Sequence, residues 1–325
     1  MSFGGRRFRG AAPECSAVVR PRGSAALQLT STVIGLIAVL LASTSTARRF
    51  YFSGDGALDL YNAHSGEHLV VRYRDGDGRY DSDALARIQH FFRSRSDGKS
   101  APVSLRLIEL IDFVQDRARP ERLTLVSGYR SPELNQSLRA GGRRVAQASL
   151  HTEGLAADLQ PQGVELRRLW LDLRGLELGG VGLYQADGFI HLDTGRARFW
   201  EAGTSGVEKN LSAGNARIFA RTDFDRYADL QGAVVRLHDV TALPLRIRRV
   251  AHIGDDTLTL EPIAHAIAKD GDCYVIVGAA EAYAFRIATS LTPPARRAPL
   301  RLQTCAPRIG ATPREIVTNP VERLP

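Results

Sequence analysis

Apolar residues in Leu58 to Arg74, LDLYNAHSGEHLVVRYR, come in short runs bounded by Gly and Asp, which predicts two strands joined by a turn at His64-Ser65-Gly66-Glu67. Asp75 to Gly78, DGDG, closes that unit. The period then changes: Leu85, Ile88 and Phe92 recur at helical spacing, predicting a helix capped by Asp81 or Ser82 and running to about Arg95. A second helix is read from about Ser104 to Arg117, burying Leu105, Leu107, Ile108, Ile111 and Val114. Leu123 to Arg139 reads as a strand, a turn at Ser127-Gly128, and a helix with Ser131 as cap and Pro132 at its first position. Arg130 therefore stands at a strand-to-helix corner.

Candidate chemistry begins with Ser149 to Asp158, SLHTEGLAAD. Side chains alternate along a strand, so His151 and Asp158, an odd number of residues apart, reach one face only if the chain bends between them. Thr152-Glu153-Gly154 is the natural turn. Beyond it Ala156 and Asp158 share a face, and the small residue leaves room for a metal and its water. Gly179 to Gly195, GGVGLYQADGFIHLDTG, predicts a hairpin turning near Ala186-Asp187-Gly188. In its second strand His191 and Asp193 face one way while Ile190 and Leu192 face the core. His151, Asp158 and His191 form a donor set that suits zinc, with a fourth place for water, as in catalytic sites.

The pattern Ser-x-His-x-x-Gly-x-Ala-x-Asp is matched by Ser149, His151, Gly154, Ala156 and Asp158. With SGYRSPELN (Ser127 to Asn135), FIHLDTG (Phe189 to Gly195) and the early LYNAHSGE stretch, it resembles the M15 peptidases, in the murein endopeptidase branch of the domain-of-unknown-function 882 type. The resemblance covers about residues 55–201. It implies zinc on His151, Asp158 and His191. It also implies an α+β fold, an antiparallel sheet with flanking helices of the hedgehog/DD-peptidase-like kind. The activity implied is cleavage of peptidoglycan stem peptides as an endopeptidase or carboxypeptidase. By the same analogy Arg130 binds the oxygen that turns negative in the transition state. Other branches carry an acid or a second histidine where this chain has Gly188 and Asp193, so the general base does not carry over. Strand geometry favours Asp193, with Asp187 and Glu153 as alternatives; Ser149 and Glu153 are read as orienting His151. A zinc-containing wall-binding module without catalysis is the rival reading, and the presence of Arg130 and Asp193 speaks against it.

The remaining segments complete the expected organisation. Residues 1–47 read as an export signal or membrane anchor: Arg6, Arg7, Arg9, Arg20 and Arg22 precede the apolar run Val33 to Ala42, and Ser45-Thr46-Ala47 offers a cleavage site. The run falls short of the ~20 residues of a spanning helix, which favours cleavage over anchoring. A periplasmic or envelope location follows, by the Sec or twin-arginine route. Residues 48–205 are assigned to the peptidase unit, and Gly203 to Asn215 has linker composition. Residues 216–290 are read as a small all-β domain with turns at Gly254-Asp255-Asp256 and Asp270-Gly271-Asp272, and 291–325, rich in Pro and Arg, as a disordered tail. The net charge of +8 is almost wholly arginine, and no nucleic-acid module accompanies it. Cys15 precedes the apolar run, leaving Cys273 and Cys305 as a candidate disulfide in an oxidising compartment. His64, His68, His90, His238, His252 and His265 have no spacing that suggests a site.

Overall fold

The computed structural model describes residues 48–141, 149–204, 213–263, 267–278 and 283–325, so the expected export segment and most of the expected linker lie outside the described residues. In chain order the first elements are β1 (Arg48–Arg49), β2 (Ala57–Asn62), β3 (His68–Arg72), α1 (Ser82–Phe91), α2 (Leu105–Ala118), β4 (Arg122–Ser127), α3 (Pro132–Ala140), β5 (Ala156–Gln162), α4 (Leu166–Arg174), β6 (Gly180–Tyr184), β7 (Phe189–Asp193) and β8 (Arg198–Glu201). Strands β2 to β8 form one sheet in the order β3-β2-β4-β5-β7-β6-β8. The fold is α+β. The sheet is mixed rather than wholly antiparallel, because β4 runs parallel to β2 and β8 parallel to β6. Helices α1 and α2 lie in the connection leading to β4, and a long crossover of this kind lets the chain re-enter a sheet in parallel.

Local chemistry explains the elements. Asp81 caps α1 by accepting from the amides of Asp83 and Ala84, and α1 stops at Phe91, short of the expected Arg95. Ser131 caps α3 through the Leu134 amide, with Pro132 in its first turn. Helix α2 buries Leu107, Ile108, Ile111 and Val114 in the core shared with Leu58, Leu60, Leu123 and Leu125 of β2 and β4. Helix α4 adds Leu169, Trp170 and Leu173 to that core.

The second sheet contains β9 (Phe219–Thr222), β10 (Arg226–Tyr227), β11 (Val234–His238), β12 (Leu245–Ile253), β13 (Asp256–Pro262), β14 (Ala268–Asp270), β15 (Cys273–Ile276), β16 (Ala284–Ile287), β17 (Ala298–Thr304) and β18 (Glu315–Arg323). Its main path runs β1-β10-β18-β17-β12-β13-β16-β11-β9, with β15 and β14 branching from β12. The turns at Gly254 and Gly271 fall where expected, both with left-handed glycines. Two expectations are corrected. Residues 291–325 do not form a disordered tail: β17 and β18 pair within the sheet and bury Leu300, Leu302, Ile316 and Val321. Arg48–Arg49, assigned to the peptidase unit, pairs instead with β10. Cys273 and Cys305 are joined in a disulfide with Cα atoms 6.5 Å apart. The described residues from Arg48 to Pro325 pack as one unit, and among them no helix is long and apolar enough to cross a membrane.

Candidate metal centre

Three side chains meet at the middle of the first sheet. His151 lies on a single helical turn, Leu150–Glu153, which Gly154 closes in the left-handed conformation at φ +67. A Cβ at Gly154 would come within 2.2 Å of the Pro102 carbonyl, so this bend requires glycine. Past the bend, β5 sets Asp158 directly across from His191 of β7. The expected change of face between His151 and Asp158 is made at that bend.

The donor atoms form a near-equilateral triangle. His191 Nδ1 lies 2.9 Å from Asp158 Oδ1 and 3.3 Å from His151 Nε2, and His151 Nε2 lies 3.4 Å from Asp158 Oδ1. A tetrahedral zinc with bonds of ~2.0–2.1 Å separates its ligand atoms by roughly 3.3–3.4 Å, so the residues fit that ion. The far side of each imidazole is also held. His151 Nδ1 donates to the Gly128 carbonyl at 2.8 Å, and His191 Nε2 donates to Asp193 Oδ2 at 2.9 Å. These bonds leave both donor nitrogens as lone pairs aimed at one point.

Charge is balanced around the triangle. Burial would raise the Asp158 carboxyl, but His151, His191 and Arg130 together hold it well below its ordinary range. Burial, reinforced by Arg130, lowers His151; in His191 burial is outweighed by Asp158 and Asp193, and its pKa rises. Arg130 donates Nη2 to Asp158 Oδ2 and Nε to Ser127 Oγ at 2.9 Å. It stands beside the donors.

Asp193 is where the expected role gives way. Opposite edges of the His191 ring face the donor triangle and Asp193, so the carboxylate lies behind the ligand, away from the metal position. Its side chain is fully buried and accepts from Arg198 at 2.7 and 3.1 Å and from the Gly180 and Gly195 amides at 3.1 and 2.8 Å. Burial would raise its pKa, but Arg198 and His191 pull it down instead. A carboxylate bonded on this many sides is arranged to hold the imidazole rather than to take a proton from water, in contrast to the base expected at Asp193. Glu153 is also committed elsewhere, to His238 Nδ1 at 2.8 Å and the Asp239 amide at 3.1 Å. Asp187 is exposed in the β6–β7 turn.

Several neighbours were not anticipated. Trp200 packs 5.2 Å from the His191 ring and its Nε1 donates to the Tyr184 hydroxyl at 3.3 Å. Tyr184 is half-buried, and burial raises its pKa. The signal for this close packing is the small-residue run Gly179-Gly180-Val181-Gly182: a Cβ on Gly180 would meet Asp193 Oδ2 at 2.1 Å. From the second sheet, the half-buried Arg221 donates Nε to the Thr194 carbonyl at 2.6 Å and Nη2 to the Gly195 carbonyl.

The sheet carries a donor triangle of two histidines and an aspartate, a candidate site for one metal ion. Residues 53–200 match the family profile Peptidase_M15_2, described as peptidoglycan L,D-endopeptidase MepK. The peptidoglycan L,D-endopeptidase MepK of Escherichia coli (strain K12) is 37% identical over 144 residues, which cover 44% of this chain and 79% of that relative. A probable peptidoglycan L,D-endopeptidase MepK of Haemophilus influenzae is 29% identical over 146 residues, 44% of this chain and 78% of that relative. The chain belongs to the Peptidase_M15_2 family of M15 peptidases. No solved structure matches it significantly.

Proposed function

We propose that this protein is a zinc-dependent peptidoglycan peptidase of the cell envelope, cutting L,D bonds in stem peptides as the names of its relatives suggest. The observation that carries the proposal is the donor triangle of His151, Asp158 and His191, with both imidazoles held from behind. Zinc bound there would supply a Lewis acid that lowers the pKa of a water to ~7. The chain's own residues do the rest. Gly128 and Asp193 fix the two rings, and Arg130 keeps Asp158 charged while offsetting negative charge on the attacked carbonyl oxygen. With Asp193 and Glu153 both committed, Asp187 is the carboxylate assigned to accept the proton of the attacking water.

In this reading residues 48–205, apart from β1, form a peptidase unit of the hedgehog/DD-peptidase-like kind. The strands after residue 216 form an all-β unit that also takes in β1. Residues 1–47 carry the chain out of the cytoplasm, with cleavage near Ala47 or retention as an anchor. The test is digestion of purified peptidoglycan by the full chain, with and without zinc, resolved by mass spectrometry, with His151→Ala as control. Loss of crosslinked muropeptides with the intact site alone, and a drop of at least about 10³ in rate in His151→Ala, is expected. Unchanged muropeptides in the presence of bound zinc would overturn catalysis in favour of a wall-binding module.

A further inference from the structure

A cleft of about 220 Å³ adjoins the donor triangle. Ser127 and Gly128 line it, and these residues also receive hydrogen bonds from Arg130 and His151, at 2.9 and 2.8 Å. Two arginines stand in its walls, Arg93 and Arg95 from the segment after α1, beside His64 from the β2–β3 turn. No Asp or Glu is among the residues that line it. Arg93 is already paired, with Glu67 at 2.8 Å. Arg95 is not: among the described residues it has no carboxylate partner, and its Nη1 lies 3.1 Å from His64 Nε2. Arg130 does not line the cleft and is paired with Asp158, so among the described residues Arg95 is the lining arginine left without a carboxylate.

We infer that this cleft is an anion subsite that takes a free carboxylate of the peptide being cut, with Arg95 as the residue that meets it. The inference rests on the peptidase reading. An L,D bond links an L-configured acyl centre to the nitrogen of a D-configured carbon. Where that carbon belongs to an uncapped amino acid, its carboxylate stays free beside the scissile amide. A planar guanidinium matches a carboxylate with two parallel hydrogen bonds, and within a concave site such a pair discriminates strongly against a neutral amide. The subsite would therefore select peptides and set register, leaving bond cleavage to the adjoining centre.

Two synthetic crosslinked peptides, alike except that the carboxylate beside the scissile amide is free in one and amidated in the other, test the inference. Binding of each to the metal-free full chain is measured by calorimetry, and cleavage of each by the zinc-loaded chain by chromatography. The free acid should bind at least about tenfold more tightly than the amide. Arg95→Gln should abolish that preference, mainly through KM in the cleavage assay, and Arg95→Lys should restore part of it. Equal binding of both peptides by the unaltered chain, or an undiminished preference in Arg95→Gln, would overturn the subsite. A binding preference without any cleavage would instead sink the peptidase reading and leave the subsite standing.

Discussion

The two sheets bear on the metal centre in different ways. The first supplies all three donors and the groups behind them, and their separations follow from strand register: Asp158 lies across from His191, and His191 across from Gly182. Among the described residues the second sheet supplies no donor. It grips the segments next to them: Arg221 holds the carbonyls of Thr194 and Gly195 just after Asp193, and His238 with the Asp239 amide holds Glu153 just after His151. About a fifth of the Escherichia coli relative lies outside its match to this chain, too little for a counterpart of the second sheet. The donors thus lie within the matched region, residues 53–200, and the strands that grip its loops lie beyond it.

The largest expected effect comes from breaking that grip at Arg221, a guanidinium that burial pulls down to about 9 yet leaves charged at neutral pH. Arg221→Ala should cost about 2–4 kcal/mol in denaturant unfolding, since two buried carbonyls lose a charged donor. Arg221→Met separates packing from positioning. If it recovers most of the stability while zinc affinity, read by chelator competition, stays lowered, the second sheet positions the site; recovery of both would make Arg221 merely structural.

A smaller effect tests the first sheet's own contribution. Asp193→Asn keeps the shape but replaces one carboxylate oxygen with an amide, weakening its bonds to His191 and Arg198. Zinc affinity should fall by about 10–100-fold. Asp187→Asn should leave zinc affinity unchanged and lower kcat by about 10²-fold or more. The opposite pattern, with kcat alone lost in Asp193→Asn, would return the base to Asp193.

Much of this comparison was legible in the sequence, on one side only. Parity along β5 and β7, with the glycine bends at Gly154 and Gly188, set the faces of His151, Asp158 and His191, and the family resemblance implied that the two segments meet. Parity could not say which imidazole nitrogen Asp193 meets, because that depends on Arg198, brought in by the parallel pairing of β8 with β6. The grip of the second sheet was equally hidden, since Arg221 lies far along the chain from Gly195 in a strand whose pattern reports only its own core. Composition misled at the C-terminus. Prolines and arginines obscured alternating strands whose inward positions are Leu300, Leu302, Ile316 and Val321, and Pro299 and Pro320 face each other beside a break in register, where a missing donor is tolerated.

The smallest predicted effect concerns the pH dependence of the same grip. Asp239 is buried, its Oδ1 lacks a hydrogen-bond partner among the described residues, and its backbone is left-handed at φ 57. Burial, followed by the charge of Glu153, pushes its carboxyl up to about 6, against the pull of Arg217, Arg198 and Arg196. An unfolded aspartate titrates near ~3.9. The folded state therefore holds the proton more tightly, and the stability linked to it is complete below about pH 4 and lost as pH rises through about 6. Asn tolerates the left-handed backbone and does not titrate, so Asp239→Asn should remove this loss. The melting temperature of the unaltered chain should fall relative to the variant between about pH 4 and 7. A difference that stays flat across that range would mean that Asp239 is ionised at no cost, and that the second sheet's hold on Glu153 is insensitive to the protonation of its neighbour.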